Sequence, residues 1–535
     1  MEAVFRLPPA LTRQVWSTRD QPVPTRDGAV LLTDHYAPAI GRAPTVLLRT
    51  PYGRRGPLAV LGRVFAERGF HVVIQSCRGT FGSTGAFEPL LHERADGIDT
   101  LEWLRTRPWY TGELGLFGAS YLGFVQWAIA ADAGPDLKAM VAVASASQTR
   151  DSTYSGGAFS LDTVLTWAEL LHGQTVPWWS RQMELKRGQP KLRAGLDHLP
   201  LHEADRVATG GTVPFFQEWL EHSEPGAAYW RARGYDERIA EVTAPVAMIT
   251  GWHDIFLPAQ LADYAALRAA GRHPHLTIGP WTHGSIGLFS AALREGLAWC
   301  RAHLRGEGTP REQPVRIHVG GAAGWRAPPD WPPDHPARPW YLHAGGALSP
   351  QPPRPSTPDR FRYDPAAPTP SVGGPLLVAN RAGQVDNRAV ERRPDVLTFT
   401  GTPLRSAVEL AGPIEATVYV RSELEYFDVF VRLCDVDRAG RSWNVCDGLT
   451  RVEAAHGPVH AVRVELWPTA HRFRPGHRIR LQVSGGAHPR YARNPGTGEP
   501  LATARTLKAG DREVWHDPEH PSLVLLPVAS ESGRR

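Results

Sequence analysis

Lysine is almost missing from this chain of 535 residues, appearing only at positions 138, 186, 191 and 508. The formal charge of +5 and the pI near 9.1 therefore come from arginines dispersed along the sequence. No basic run interleaves with aromatics, and without such a stripe the charge excludes a nucleic-acid partner from the expectations. Cysteine is equally scarce. Cys77, Cys300, Cys434 and Cys446 show no C-x-x-C spacing, and no histidine pairs stand at zinc-ligand intervals, so no metal is expected. The four read as buried thiols in a reduced compartment, a Cys434–Cys446 disulfide across a hairpin being the lesser option. No apolar run is long enough to cross a bilayer, and Met1 to Trp16 lacks the apolar core of a signal peptide. A cytoplasmic protein with no membrane partner is expected. The loop Gly79–Gly85 lacks the Gly-Lys-Ser/Thr ending of a phosphate cradle, so it reads as structural. There is no internal repeat.

A chain of this length exceeds what one core supports, so two or three domains are expected. An Asp27-Gly28 turn between β-prone runs signals a hairpin. Apolar strands follow at 45–49, 71–75, 114–117 and 139–143, separated by helical patterns at 59–68 and 93–106. Strands alternating with helices at this spacing predict a mostly parallel sheet covered on both faces. From about 147 to 241 aromatics crowd a mainly helical region, including Trp167, Trp178, Trp179, Phe215, Phe216, Trp219, Tyr229 and Trp230. This segment is expected to form a helical cap. The alternation resumes with strands at 245–250 and 275–279, and 290–304 reads as the last helix. Beyond residue 335 short alternating runs and turn signals predict an all-β jelly roll. The expected division is thus 1–146 and 242–334 for the α/β domain, 147–241 for the cap and 335–535 for the β domain.

The stretch Leu114-Gly115-Leu116-Phe117-Gly118-Ala119-Ser120-Tyr121-Leu122-Gly123 is laid out as strand, sharp turn and helix. Glycines on both sides allow close backbone approach and leave Ser120 at the apex. The closing glycine falls one residue later than in G-x-S-x-G. In wound sheets functional residues lie just past the carboxyl ends of strands. Four predicted strand ends here carry Tyr52, Ser120, Asp254 and His283. Ser, Asp, His is also the chain order of an α/β-hydrolase triad. In that reading His283 takes the proton of Ser120, and Asp254 fixes the imidazole tautomer. Taken singly, each has a plainer role: an idle serine in a turn, a helix cap at Asp254, a packed aromatic at Tyr52.

Together these stretches resemble the cocaine esterase and X-prolyl dipeptidyl-peptidase family of serine hydrolases. The resemblance is carried by Arg49-Thr50-Pro51-Tyr52, Arg78-Gly79 with Gly82 and Gly85, Gly118 to Gly123, Gly251-Trp252-His253-Asp254 and Gly279-Pro280-Trp281-Thr282-His283. It continues in Cys446-Asp447-Gly448 and in Pro489-Arg490-Tyr491 with Arg493-Asn494. The displaced glycine is that family's own form of the turn. The resemblance implies an α/β-hydrolase fold with a helical cap and a C-terminal jelly roll. It also implies Ser120 as nucleophile, His283 as base and Asp254 as orienting acid, with the oxyanion held by the Tyr121 backbone N–H and the Tyr52 hydroxyl. No cofactor is required by such acyl transfer.

Substrate is less determined. Tyr154, Trp167 and Phe256 are the candidate lining residues of an apolar acyl pocket. A dipeptidyl-peptidase or α-amino acid ester hydrolase would instead need carboxylates for a substrate ammonium, for which the cap offers Asp151, Asp162 and Glu169. A carboxylic ester hydrolase acting on a small ester is the first expectation and the peptidase the second. A non-catalytic carbohydrate-binding protein is a third, and the jelly roll could serve as a homodimer surface.

Overall fold

The computed structural model describes residues 5–175, 190–321, 324–377 and 381–529. Trp178 and Trp179 lie outside the described residues. Between Val15 and Arg326 the chain builds a ten-stranded sheet in the order β1-β2-β4-β3-β5-β6-β7-β8-β9-β10. Its strands are β1 (Val15–Pro24), β2 (Val30–Pro38), β3 (Thr45–Thr50), β4 (His71–Ser76), β5 (Leu114–Ala119), β6 (Leu137–Val143), β7 (Val246–His253), β8 (His275–Thr282), β9 (Val315–His318) and β10 (Trp325–Arg326). The stretch from β4 to β9 is parallel, and the pairs at the two ends are antiparallel. β3, β4 and β7 are buried at every position. Continuous apolar strands are what a sheet covered on both faces requires.

The covering helices are α1 (Pro57–Ala66), α2 (Glu93–Arg105), α3 (Tyr121–Ala130), α7 (Leu257–Ala269) and α8 (Ile286–Arg305). One core cluster holds Leu47, Leu116, Phe124 and Met140, and the other holds Val46, Phe65, Phe117 and Leu297. Adjacent residues such as Val46 and Leu47 thus serve opposite faces, as the strand period demands.

Between β6 and β7 lie α4 (Leu161–His172), α5 (Ala204–Thr209) and α6 (Pro214–Glu221). In α4, Leu161, Val164, Leu165 and Ala168 recur at helical spacing and are all buried. Its Trp167 stacks between Tyr121 and Trp219, with ring centroids 6.0 and 5.6 Å away. α4 begins only at Leu161, because Ala158 and Phe159 form a short hairpin with Tyr154 and Ser155.

From Ala337 onward the chain is almost entirely β, with long strands at Val408–Ser422, Tyr426–Val436, Ser442–Glu453 and His460–Phe473. Alternate residues such as Val418, Val420, Val431, Leu433 and Val464 build its separate core. One helical turn, Arg388–Glu391, interrupts the expected all-β pattern. All four cysteines are free and buried. Cys446 sits opposite Leu433, and Cys434 sits opposite Asn444 across a register shift, so the pair is not in register for a disulfide. Among the described residues no helix is long and apolar enough to cross a membrane.

Candidate active site

β5 delivers Ser120 into a conformation few side chains adopt, with φ 58° and ψ −125°. Such backbone costs on the order of 1–3 kcal/mol and persists only where the surroundings impose it. Here the imposition is steric and hydrogen-bonded. A Cβ on Gly118 would lie 2.4 Å from Leu122 Cβ, so only glycine lets the strand and α3 close on the turn. A Cβ on Gly123 would lie 2.4 Å from both Cβ and Oγ of Ser145. The late glycine therefore serves the contact between α3 and the chain leaving β6. Ser120 N donates to Val143 O at 2.9 Å, and Ser120 O accepts from Gly123 N and Phe124 N at 2.8 and 3.0 Å.

Asp254 and His283 stand one residue past the ends of β7 and β8, which are neighbours in the sheet. His283 Nε2 lies 3.1 Å from Ser120 Oγ, and His283 Nδ1 lies 2.9 Å from Asp254 Oδ2. The Asp254 side chain is fully buried, and its other oxygen accepts from Phe256 N at 2.8 Å. Both carboxylate oxygens are thus engaged, which fixes the plane presented to the imidazole. An imidazole held in this way can accept the hydroxyl proton and carry the resulting charge.

Tyr52, two residues beyond β3, reaches the same point. Its oxygen accepts a hydrogen bond from Trp167 Nε1 at 3.0 Å. Burial pushes the phenol up to about 12, against the pull of its hydrogen bonds with Trp167 and Ser120. It therefore stays protonated at neutral pH and keeps a proton to donate. Tyr121 is the first residue of α3, so its backbone N–H has no acceptor within the helix. The two donors approach Ser120 from adjacent strands, β3 and β5.

The cavity beside Ser120 is bounded by the sheet, the cap and the β domain. Tyr52, Tyr121, Phe124, Val164, Trp167, Trp219 and Phe256 make its apolar wall. Phe256 also meets the His283 ring edge-on, with centroids 5.6 Å apart. Of the three expected pocket residues, Trp167 and Phe256 line it and Tyr154 does not. The Tyr154 hydroxyl donates to Trp219 O at 2.7 Å and its ring packs on Phe159, so it braces the wall from behind. Its neighbours Ser152 and Thr153 face the cavity instead, with Leu90, Thr149 and Ile255. Leu377 enters from the β domain. Nothing local in the sequence marks Ser152 and Thr153, since the helical turn that carries them, Arg150–Thr153, is too short to show a period.

No charged side chain lines this cavity among the described residues. Asp151 is 68% exposed and lies beside Arg150. Asp162 is fully buried but faces the β domain, where its carboxylate meets Arg381 at 2.9 Å. Glu169 is absent from the lining as well. Asp447 and Arg490, from the two β-domain motifs, lie near His253 at the end of β7. Asp447 pairs with Arg432 at 2.8 Å and with Arg490, all three buried, and burial among them draws His253 down to about 4.

Similarity to known proteins places the family. Residues 27–285 match the X-Pro dipeptidyl-peptidase (S15) family, and residues 307–525 match the X-Pro dipeptidyl-peptidase C-terminal non-catalytic domain. The cocaine esterase of Rhodococcus sp. (strain MB1 Bresler) is 32% identical over 95% of this chain and 97% of its own length. Among solved structures, an α-amino acid ester hydrolase superposes with a TM-score of 0.82 at 24% identity, covering 98% of both chains. An aminopeptidase from a marine sediment Thaumarchaeota archaeon reaches 0.83 at 23% identity, covering 96% of both. At those identities the two structures speak for the shared fold alone. With 32% identity to an esterase along nearly its whole length, the protein belongs to the cocaine esterase and X-Pro dipeptidyl-peptidase (S15) family of serine hydrolases.

Proposed function

We propose that the protein is a carboxylic ester hydrolase acting on esters with an uncharged, apolar acyl group. The observation that carries this reading is the lining beside Ser120, which is mostly aromatic and aliphatic with a few serine and threonine hydroxyls and no carboxylate among the described residues. An ammonium-bearing substrate placed there would lose its hydration without a counter-charge, and burying an unpaired charge is strongly unfavourable. An acyl group with a ring gains instead, at about 25 cal/mol per Å² of apolar surface covered.

In the proposed mechanism Ser120 Oγ attacks the ester carbonyl while His283 Nε2 takes its proton. The negative charge that develops on the carbonyl oxygen is met by the Tyr121 N–H and the Tyr52 hydroxyl. The tetrahedral intermediate collapses, the alcohol leaves with the proton from His283, and an acyl-Ser120 remains. Water, deprotonated by the same imidazole, then releases the acid and restores the serine. Asp254 holds His283 in the tautomer that both half-reactions need.

A fluorophosphonate probe tests the nucleophile: labelling of the wild type that disappears in Ser120→Ala is the expected result. Comparison of p-nitrophenyl benzoate with Gly-Pro-p-nitroanilide tests the substrate class. Turnover of the anilide alone would overturn the ester reading.

A further inference from the structure

We propose that Glu93, clamped by Arg49, is a positioning residue that fixes both oxyanion donors. Arg49 is 1% exposed and the Glu93 side chain 5%, and Arg49 Nη2 lies 2.9 Å from Glu93 Oε2. Arg49 Nη1 also donates to Glu93 O at 2.7 Å, and Arg49 Nε donates to Gln75 Oε1 at 2.9 Å. The other carboxylate oxygen, Oε1, accepts the Tyr121 hydroxyl at 2.7 Å. Cys77 Sγ is 3.7 Å from Oε2. An ion pair buried this deeply gains little stability over an apolar pair of similar volume. Its place in the fold supplies another reason for it.

One end of the network is Tyr121 itself, and the other, Arg49, reaches Tyr52 only through the end of β3. Tyr121 offers its backbone N–H toward the site and its ring hydroxyl to Glu93, so the carboxylate tethers the residue from the opposite side. The ring stacks on Trp167, which sets its tilt but not its depth. The hydrogen bond to Glu93 supplies the depth. Arg49 lies near the end of β3, three residues before Tyr52, and locks that strand end to the start of α2. The same Tyr121 oxygen accepts from Leu90 N at 2.9 Å. Leu90 lines the cavity at φ 72°, a conformation that leucine keeps only under constraint. One carboxylate thus registers the oxyanion donors and part of the acyl wall against each other. A donor displaced by 1 Å costs on the order of a hundredfold in rate, which makes such registration worth a buried charge.

The inference rests on the roles proposed for Tyr121 and Tyr52, and its test separates the two. Glu93→Ala would strand the Arg49 guanidinium in the interior, so the informative variant is Tyr121→Phe, which keeps the ring, its stacking and the backbone N–H. Turnover of p-nitrophenyl benzoate is measured per active site titrated with the fluorophosphonate. Expected is a fall in kcat of about tenfold or more with KM moving less than about threefold. The affinity for phenylboronic acid, whose serine adduct carries a tetrahedral oxyanion, should fall in parallel. A role confined to stability would lower the unfolding midpoint while leaving kcat per titrated site and boronate affinity unchanged, and that result overturns the inference. Loss of labelling in Ser120→Ala bears only on the nucleophile. Wild-type protein that resists labelling would remove the functional reading and this one with it.

Discussion

Replacing Tyr52 by phenylalanine removes one oxygen and one proton from the site and leaves the ring in place. Two consequences follow from the geometry. The oxyanion loses a donor that burial keeps protonated, its phenol lying near 12. Loss of one such donor typically costs about 3–4 kcal/mol of transition-state stabilisation, or roughly a hundred- to a thousandfold in kcat. Trp167 Nε1 also loses the acceptor it now has at 3.0 Å. A half-buried N–H left without a partner costs about 1–2 kcal/mol of stability. Trp167→Phe perturbs the same pair from the other side. It removes the donor that occupies one lone pair of the Tyr52 oxygen, so the hydroxyl proton is less firmly directed. The expected rate loss is smaller, about three- to tenfold, since hydrogen bonds in a chain strengthen one another only partly. Because Trp167 acts through Tyr52, the double variant should be no slower than Tyr52→Phe alone. The assay is kcat for p-nitrophenyl acetate per titrated site, its short acyl group minimising the loss of contact with the indole. Tyr52→Phe within threefold of the wild type would refute the oxyanion role, and rate losses that multiply would refute the coupling.

Two further substitutions probe the frame around the site. Asp263, buried on α7, accepts from Ser147 N and Oγ at 2.8 and 2.6 Å, where the chain leaves β6 for the cap. Burial lifts its carboxyl from 3.8 to about 7 despite these bonds. The folded protein therefore holds this proton more tightly than the unfolded chain, and its contribution to stability falls as pH rises from about 4 to 7. His35 and His253, drawn down by burial, slope the opposite way below their ordinary range, so the whole-protein profile mixes the two. The difference between wild type and Asp263→Asn isolates the carboxyl. In urea titrations the variant should gain relative stability across pH 4–7, by at most on the order of 4 kcal/mol, and a pH-independent difference would contradict the assignment. Gly123→Ala places a methyl 2.4 Å from Ser145, inside any tolerated contact. It should cost about 1–3 kcal/mol in unfolding free energy, and kcat should drop as α3 shifts Tyr121. Wild-type values of both would remove the reason given for glycine there.

The legible part of the molecule is the part whose physics is local. Apolar runs such as Val46–Leu48 and Val72–Ile74 have to be buried on both faces, so the parallel sheet follows from them. Its strand ends then bring Ser120, Asp254 and His283 onto one edge in a known chain order. Gly118 and Gly123 mark the turn because no other residue fits between β5, α3 and Ser145. Even there, the contact that requires Gly123 joins segments more than twenty residues apart and shows only in three dimensions.

The walls of the cavity are different in kind. Tyr154 has the composition of a pocket residue, but its hydroxyl is committed to Trp219 O, and Ser152 and Thr153 take its place. Asp162 lies one residue from the lining Thr163, yet its carboxylate turns to Arg381 across a domain boundary. Leu377 arrives from a loop of the β domain. Arg49, Glu93 and Tyr121 belong to three elements that meet only when β3, α2 and α3 pack together. The sheet, the elbow at Ser120 and the family are legible in the chain alone. Which side chains face the substrate, and what holds the oxyanion donors in place, the tertiary structure alone decided. A side chain's direction depends on which distant partner satisfies its polar atom, and no periodicity in the chain records that choice.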